Sequence, residues 1–178
     1  LVMADSNSTE PDNAKPQKVH AVQDTFEPGS MGKLVTVGTA LNQGTITPTS
    51  VFQVPYALDL PDAGGPITDF HEHDGETLTA TGVLAESSNT GTVLIGQTMS
   101  DDQRYSMMRA FGFGQETGIE LPGESAGLLR GVDQWQGRDR YVTMFGQAYA
   151  ITAMQEASAL ATIANGGVRI SPHIVKSW

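Results

Sequence analysis

The stretch Phe26-Glu27-Pro28-Gly29-Ser30-Met31-Gly32-Lys33 constrains the fold most, because a loop carrying Pro and Gly must run there directly into a helix. Met31, Leu34, Val35, Gly38 and Leu41 recur at i, i+3, i+4, i+7 and i+10. That stripe predicts a helix starting at Ser30 with one face in the core. Gly44 supplies its stop, and Pro48 lies beyond. Ser30 and Lys33 then share a face of the first turn, with Cβ atoms roughly 5–6 Å apart. A neutral lysine in that position can take the serine's proton. The partial positive charge of a helix N-terminus disfavours an ammonium and favours an anion on the serine oxygen. Burial would push the lysine pKa down further. The pair therefore invites reading as an activated serine nucleophile. Taken alone, S-x-x-K also fits a Ser N-cap followed by a solvated lysine, so the rest of the chain has to decide.

A chain of 178 residues fits one domain, able to bury about 70% of its unfolded surface. No apolar run reaches the ~18 residues of a membrane span. The opening Leu1-Val2-Met3-Ala4 lacks a basic n-region, which argues against a signal peptide. It suits a chain that begins inside a larger protein or a mature piece. With 20 acidic against 10 basic residues and a net charge of −10, nothing resembles a nucleic-acid footprint. The absence of cysteine excludes disulfides, thiolate catalysis and Cys-based zinc sites.

Leu1 to Ala4 reads as a buried strand, Asp5 to Gln17 as a polar loop, and Val51 to Val54 as a short strand. Pro55 to Gly75 is rich in Pro, Gly and Asp and reads as a long irregular excursion, a kind of loop that is usually functional or mobile. It holds His71-Glu72-His73-Asp74, the one cluster with metal-ligand chemistry. No third His or Cys lies nearby, so a solvated loop is the expectation, with no metal and no cofactor. Thr77 to Glu86 and Asn89 to Met99 read as helices. Between them Ser87-Ser88-Asn89 favours a cap or turn. Ser100-x-x-Gln103 is a capping box opening a helix through Phe111, with Tyr105, Met108 and Phe111 on one face. Thr152-x-x-Gln155 opens another, ended by Gly166-Gly167. Val168 to Val175 reads as strand or hairpin edge.

Taken together, these segments resemble the transpeptidase domain of a penicillin-binding protein, most like the class B, division- or elongation-type enzymes. Ser30-Met31-Gly32-Lys33 matches the family's S-x-x-K, and Ser87-Ser88-Asn89 its S-x-N. Phe111-Gly112-Phe113-Gly114-Gln115-Glu116-Thr117-Gly118-Ile119-Glu120-Leu121-Pro122-Gly123-Glu124 and Phe145-Gly146-Gln147 are further family-like stretches, all in the family's order. The resemblance implies an α/β fold, an antiparallel sheet flanked by helices plus a helical subdomain, with the active site between them. It implies that Ser30 attacks the D-Ala-D-Ala carbonyl of a peptidoglycan stem peptide. Lys33 would be the general base, Ser87 a proton relay, and Asn89 a positioning group for Lys33 and the substrate amide. β-Lactams would acylate the same serine, and divisome or elongation-complex proteins would be partners. An N-terminal membrane helix would anchor the protein at the extracytoplasmic face.

The family's third motif, Lys-Thr/Ser-Gly, is not found in the chain. Lys176-Ser177-Trp178 has Trp in place of Gly, and Glu116-Thr117-Gly118 lacks the lysine. Residues 1–178 are therefore expected to be a partial transpeptidase domain lacking its C-terminal strands, impaired alone, with the remainder cut off or on a second chain. Two other readings stand beside the enzyme: a serine β-lactamase-like hydrolase, for which no E-x-x-x-N deacylation candidate is present, and an inactive or sensor-type penicillin-binding module.

Overall fold

The computed structural model describes residues 18–175. The strand expected at Leu1 to Ala4, the loop at Asp5 to Gln17, and Lys176 to Trp178 lie outside the described residues. Beside the short helices α1 (His20–Gln23) and α6 (Asp139–Val142), the chain has at its centre α2 (Gly32–Asn42), packed against α3 (Ala80–Ala85), α4 (Asn89–Gly96), α5 (Asp101–Ala110) and a 3-10 turn at Thr143–Phe145. The helix is buried on more than one side. Lys33, Val35, Thr36, Val37, Thr39 and Ala40 are all buried, whereas Met31, Leu34 and Gly38 are half-buried and Leu41 is 39% exposed. The expected apolar stripe is thus, Val35 apart, the less buried side. The threonines explain the difference. Thr36 Oγ1 donates to Met144 O and Thr39 Oγ1 to Val35 O, so their hydroxyls are satisfied inside the protein and no longer oppose burial.

Three apolar clusters surround this helix. Val37 and Ala40 of α2 join Val54, Val83 and Ile95 in the first. Val35 joins Met108, Phe113, Tyr149 and Ile151 in the second. The third, with Ile67, Tyr141, Met144 and Phe145, takes Val93 from α4. Each buried aliphatic side chain contributes roughly 1.5–3 kcal/mol, so α2 and α4 are fixed from several directions at once.

Strands occur as three two-stranded antiparallel pairs among the described residues. β1 (Thr25–Phe26) pairs with β6 (Ile151–Thr152), β2 (Val51–Val54) with β5 (Glu76–Thr79), and β3 (Ala57–Leu58) with β4 (Ile67–Thr68). Two expectations need correction here. Thr77 to Glu86 is not one helix: Glu76–Thr79 is strand, register-locked to Val51–Val54, and the helix begins only at Ala80, capped by Thr79 Oγ1 accepting from Gly82 N. Two β-branched threonines flanking Leu78 suit a pleat once a partner strand is present. The strand expected over Val168 to Val175 does not form among the described residues, and Val168 and Ile170 are 62% and 63% exposed.

Helix starts fare better. Ser100 and Gln103 form a reciprocal capping box on α5, and Thr152 and Gln155 another on α7 (Ala153–Ala164). The excursion from Pro55 to Gly75 is irregular apart from the short β3–β4 pair.

Candidate active site

The stretch leading to Ser30 is held at three points before its helix begins. The β1–β6 pair fixes its approach, Ala148 N donates to Glu27 Oε1 at 2.8 Å, and Gly29 N donates to Gly146 O at 2.9 Å. Ser30 lies in a 3-10 turn, Gly29–Met31, and the α-helix starts only at Gly32. Glycine is required in this interlock. A Cβ on Gly146, whose φ is +89°, would lie 1.8 Å from Gly29 O, and one on Gly32 would lie 2.6 Å from both Gly146 Cα and the Tyr149 hydroxyl. Phe145-Gly146-Gln147 thus shapes the seat of the serine.

Ser30 is exposed, whereas Lys33 is only 2% exposed. Ser87 joins them. Lys33 Nζ donates to Ser87 O and, at 2.9 Å, to Ser87 Oγ, which in turn donates to Ser30 Oγ at 3.1 Å. Burial pushes the Lys33 ammonium down to about 8, against a smaller upward pull from the charge of Asp69. Ser87 reaches this position from a left-handed backbone, φ +54°, which costs a non-glycine residue on the order of 1–2 kcal/mol. Tyr149, beneath Gly32, is no competing base: burial, and after it the charge of Glu156, push its phenol up.

The three groups open on a cleft of about 560 Å³, bounded on its far side by His71, Glu72, His73 and Glu76. A neutral amine at Lys33 can keep one N–H on Ser87 O and accept from Ser87 Oγ, which can then accept from Ser30. That is a complete proton path from an exposed hydroxyl to a buried base. Ser88 and not Ser87 is the N-cap of α4, accepting from Gly91 N. Asn89, expected to hold Lys33, instead donates from Nδ2 to Thr68 O at 2.9 Å. Of the histidine cluster, His73 Nε2 lies 3.2 Å from Asp69 Oδ2 and His71 packs edge-on against Phe70. No group of three or more acidic or histidine side chains is arranged to hold a metal among the described residues.

The sequence pattern of the penicillin binding protein transpeptidase domain matches residues 1–178. The chain belongs to that family. Among its relatives, penicillin-binding protein PbpB of Mycolicibacterium smegmatis is 41% identical over 157 residues, 88% of this chain and 24% of the relative. Peptidoglycan D,D-transpeptidase FtsI of Escherichia coli K12 is 33% identical over 174 residues, 94% of this chain and 29% of the relative. Among solved structures, penicillin binding protein 3 of Mycobacterium tuberculosis, complexed with aztreonam, superposes with a TM-score of 0.85 at 39% identity. That superposition covers 92% of this chain and 36% of the other. The transpeptidase fold and the class B resemblance are borne out. The chain spans about a quarter of the length of the curated relatives it matches.

Within the family frame, the motif serines and lysine meet at one point, joined by Gly146, which stood in a family-like stretch with no role attached, and by Asp69, which stood in none. Gly146 acts through the space it leaves empty. Asp69 sits at the rim of the cleft and bonds to residues 88–90 from twenty positions upstream.

Proposed function

We propose that the chain carries the nucleophile, base and relay of a peptidoglycan D,D-transpeptidase. Ser30 Oγ attacks the carbonyl carbon of the penultimate D-Ala of a stem peptide. Its proton passes through Ser87 to Lys33, the C–N bond to the terminal D-Ala breaks, and the departing amine takes a proton back along the same path. An amine of a neighbouring stem then displaces the serine ester, which closes the cross-link and frees Ser30. The observation that carries this reading is the Lys33–Ser87–Ser30 hydrogen-bonded chain, with its base buried and its nucleophile open to the cleft. General-base help of this kind contributes about a hundredfold or more in rate.

The reading includes β-lactams as covalent inhibitors at Ser30, a site outside the cytoplasmic membrane, and work in septal or elongation wall synthesis. The names of the relatives, and the aztreonam complex of one, support it. Among the described residues no helix is long and apolar enough to cross a membrane. In the full-length protein, Ser30→Ala is expected to abolish labelling by a fluorescent penicillin. Undiminished labelling of that variant would sink the assignment, and turnover of a chromogenic cephalosporin would favour a β-lactamase-like hydrolase.

A further inference from the structure

Asp69 is a largely buried carboxylate, 9% exposed, that no step of the proposed reaction uses. Its Oδ1 accepts from the backbone N–H groups of Asn89 and Thr90. Oδ2 accepts from Ser88 Oγ at 2.8 Å and from His73 Nε2 at 3.2 Å, while the Thr90 hydroxyl, also 3.2 Å away, gives its proton to Pro55 O at 2.7 Å. Gly75 N donates to His73 Nδ1, which leaves the imidazole proton on Nε2, aimed at the carboxylate. Two of these donors are orphan N–H groups of the first turn of α4. Asp69 therefore caps that helix from another part of the chain, while Ser88 caps it locally. Burial alone would raise its pKa, but the hydrogen bonds from Thr90, Ser88, His73 and Asn89 together outweigh burial and hold the carboxyl below its ordinary value.

The residue just before this clamp is Ser87, held at φ +54° with its hydroxyl between Lys33 and Ser30. A left-handed serine persists only where its surroundings over-determine it. Leu84 O, accepting from Ser87 N, fixes one side, and the residues bound to Asp69 fix the other. We propose that Asp69 is a positioning residue for acylation of Ser30: by anchoring Ser88, Asn89 and Thr90, it holds the Ser87 hydroxyl in line between nucleophile and base. The inference rests on the reading of Ser30 as the acylated serine.

Its charge gives the proposal a signature that a purely structural clamp would lack. The elements packed on α2 around Lys33, namely α3, α4 and the turn at Thr143–Phe145, carry no titratable side chain. Arg104 of α5 and Tyr149, whose phenol burial keeps protonated, lie on another side of the helix, with Thr36 and Thr39. The titratable groups that line the cleft with Lys33 are Asp69, His71, Glu72, His73, Glu76 and Glu86. Of these, Asp69 is the one whose charge favours the Lys33 ammonium. Removing that charge makes the amine easier to deprotonate, so the rising limb of the acylation pH profile moves to lower pH.

The test is the rate constant for acylation by benzylpenicillin against pH in the full-length protein, with melting temperatures alongside. Asp69→Asn keeps the volume and a cap-forming side chain. It is expected to lower the plateau rate by roughly tenfold to a hundredfold, the scale of an ångström-sized misplacement, and to shift the limb to lower pH. Asp69→Glu keeps the charge but displaces the oxygens, so the rate falls while the limb stays in place, and it carries the test if the asparagine variant does not fold. A wild-type rate in either variant overturns the proposal, as does a fall in Asp69→Asn that tracks lost melting temperature with no shift of the limb. Failure of the wild type to acylate would instead overturn the reading of Ser30.

Discussion

Lys33 and Ser30 are three residues apart in sequence but stand in opposite environments, one sealed and one open. In the proposed reaction that contrast divides the labour between base and nucleophile. Because burial lowers the Lys33 pKa from 10.5 to about 8, a useful fraction of the amine is free near neutral pH. Acylation should rise with pH through about 8 and level off above it. A profile flat through that region would place the base elsewhere. The same shift has a stability consequence of fixed sign. Between about 8 and 10.5 the unfolded chain binds the proton that the folded chain has lost, so this group makes stability rise with pH across that window. Lys33→Met fills a similar volume without a base. It should lose acylation by at least about a hundredfold, with a melting temperature at neutral pH no lower than that of the wild type. Near-native acylation by the methionine variant would show that Lys33 is not the base.

The loops carry as much of the site as the helices do. The turn at Ser30 is set against Gly146, and Gly146→Ala would drive a Cβ into Gly29 O while forcing a left-handed alanine. A cost of about 1–3 kcal/mol is expected, seen as a lower melting temperature together with slower acylation. An unchanged rate would mean that the interlock does not set the serine. Behind it, Gln155 is 1% exposed and donates to Gln115 O at 2.8 Å and Ala126 O at 2.9 Å, tying the family-like stretch after Phe111 to α7. Gln155→Ala would leave those half-buried carbonyls without their partner, at about 1–3 kcal/mol, which thermal melting would register. The capping role of Gln155 was legible in the sequence because a cap is local. Its long-range bonds were not, and for the same reason Thr77–Thr79 read as helix: only the pairing of Glu76–Thr79 with Val51–Val54 makes that segment strand.

Across the whole molecule, α2 and α4 each serve two of the three apolar clusters, and the second motif begins α4 while the first runs into α2. Packing therefore brings Ser30 and Ser87 together across 57 residues of sequence. The motif residues Ser30, Lys33 and Ser87 were legible as types at family spacing. Their order along the proton path was not, since it depends on the left-handed turn at Ser87. Asp69 was illegible because the helix it caps begins twenty residues later, and so was the partner of Asn89, Thr68 O, which is as distant in sequence. Of two hydroxyls 3.1 Å apart, one is proposed to attack and the other to relay. Peptide mass spectrometry of the full-length protein after benzylpenicillin treatment tests this directly. One penicilloyl adduct is expected, on Ser30, formed more slowly but at the same residue in Ser87→Ala. An adduct on Ser87 in the wild type would contradict it.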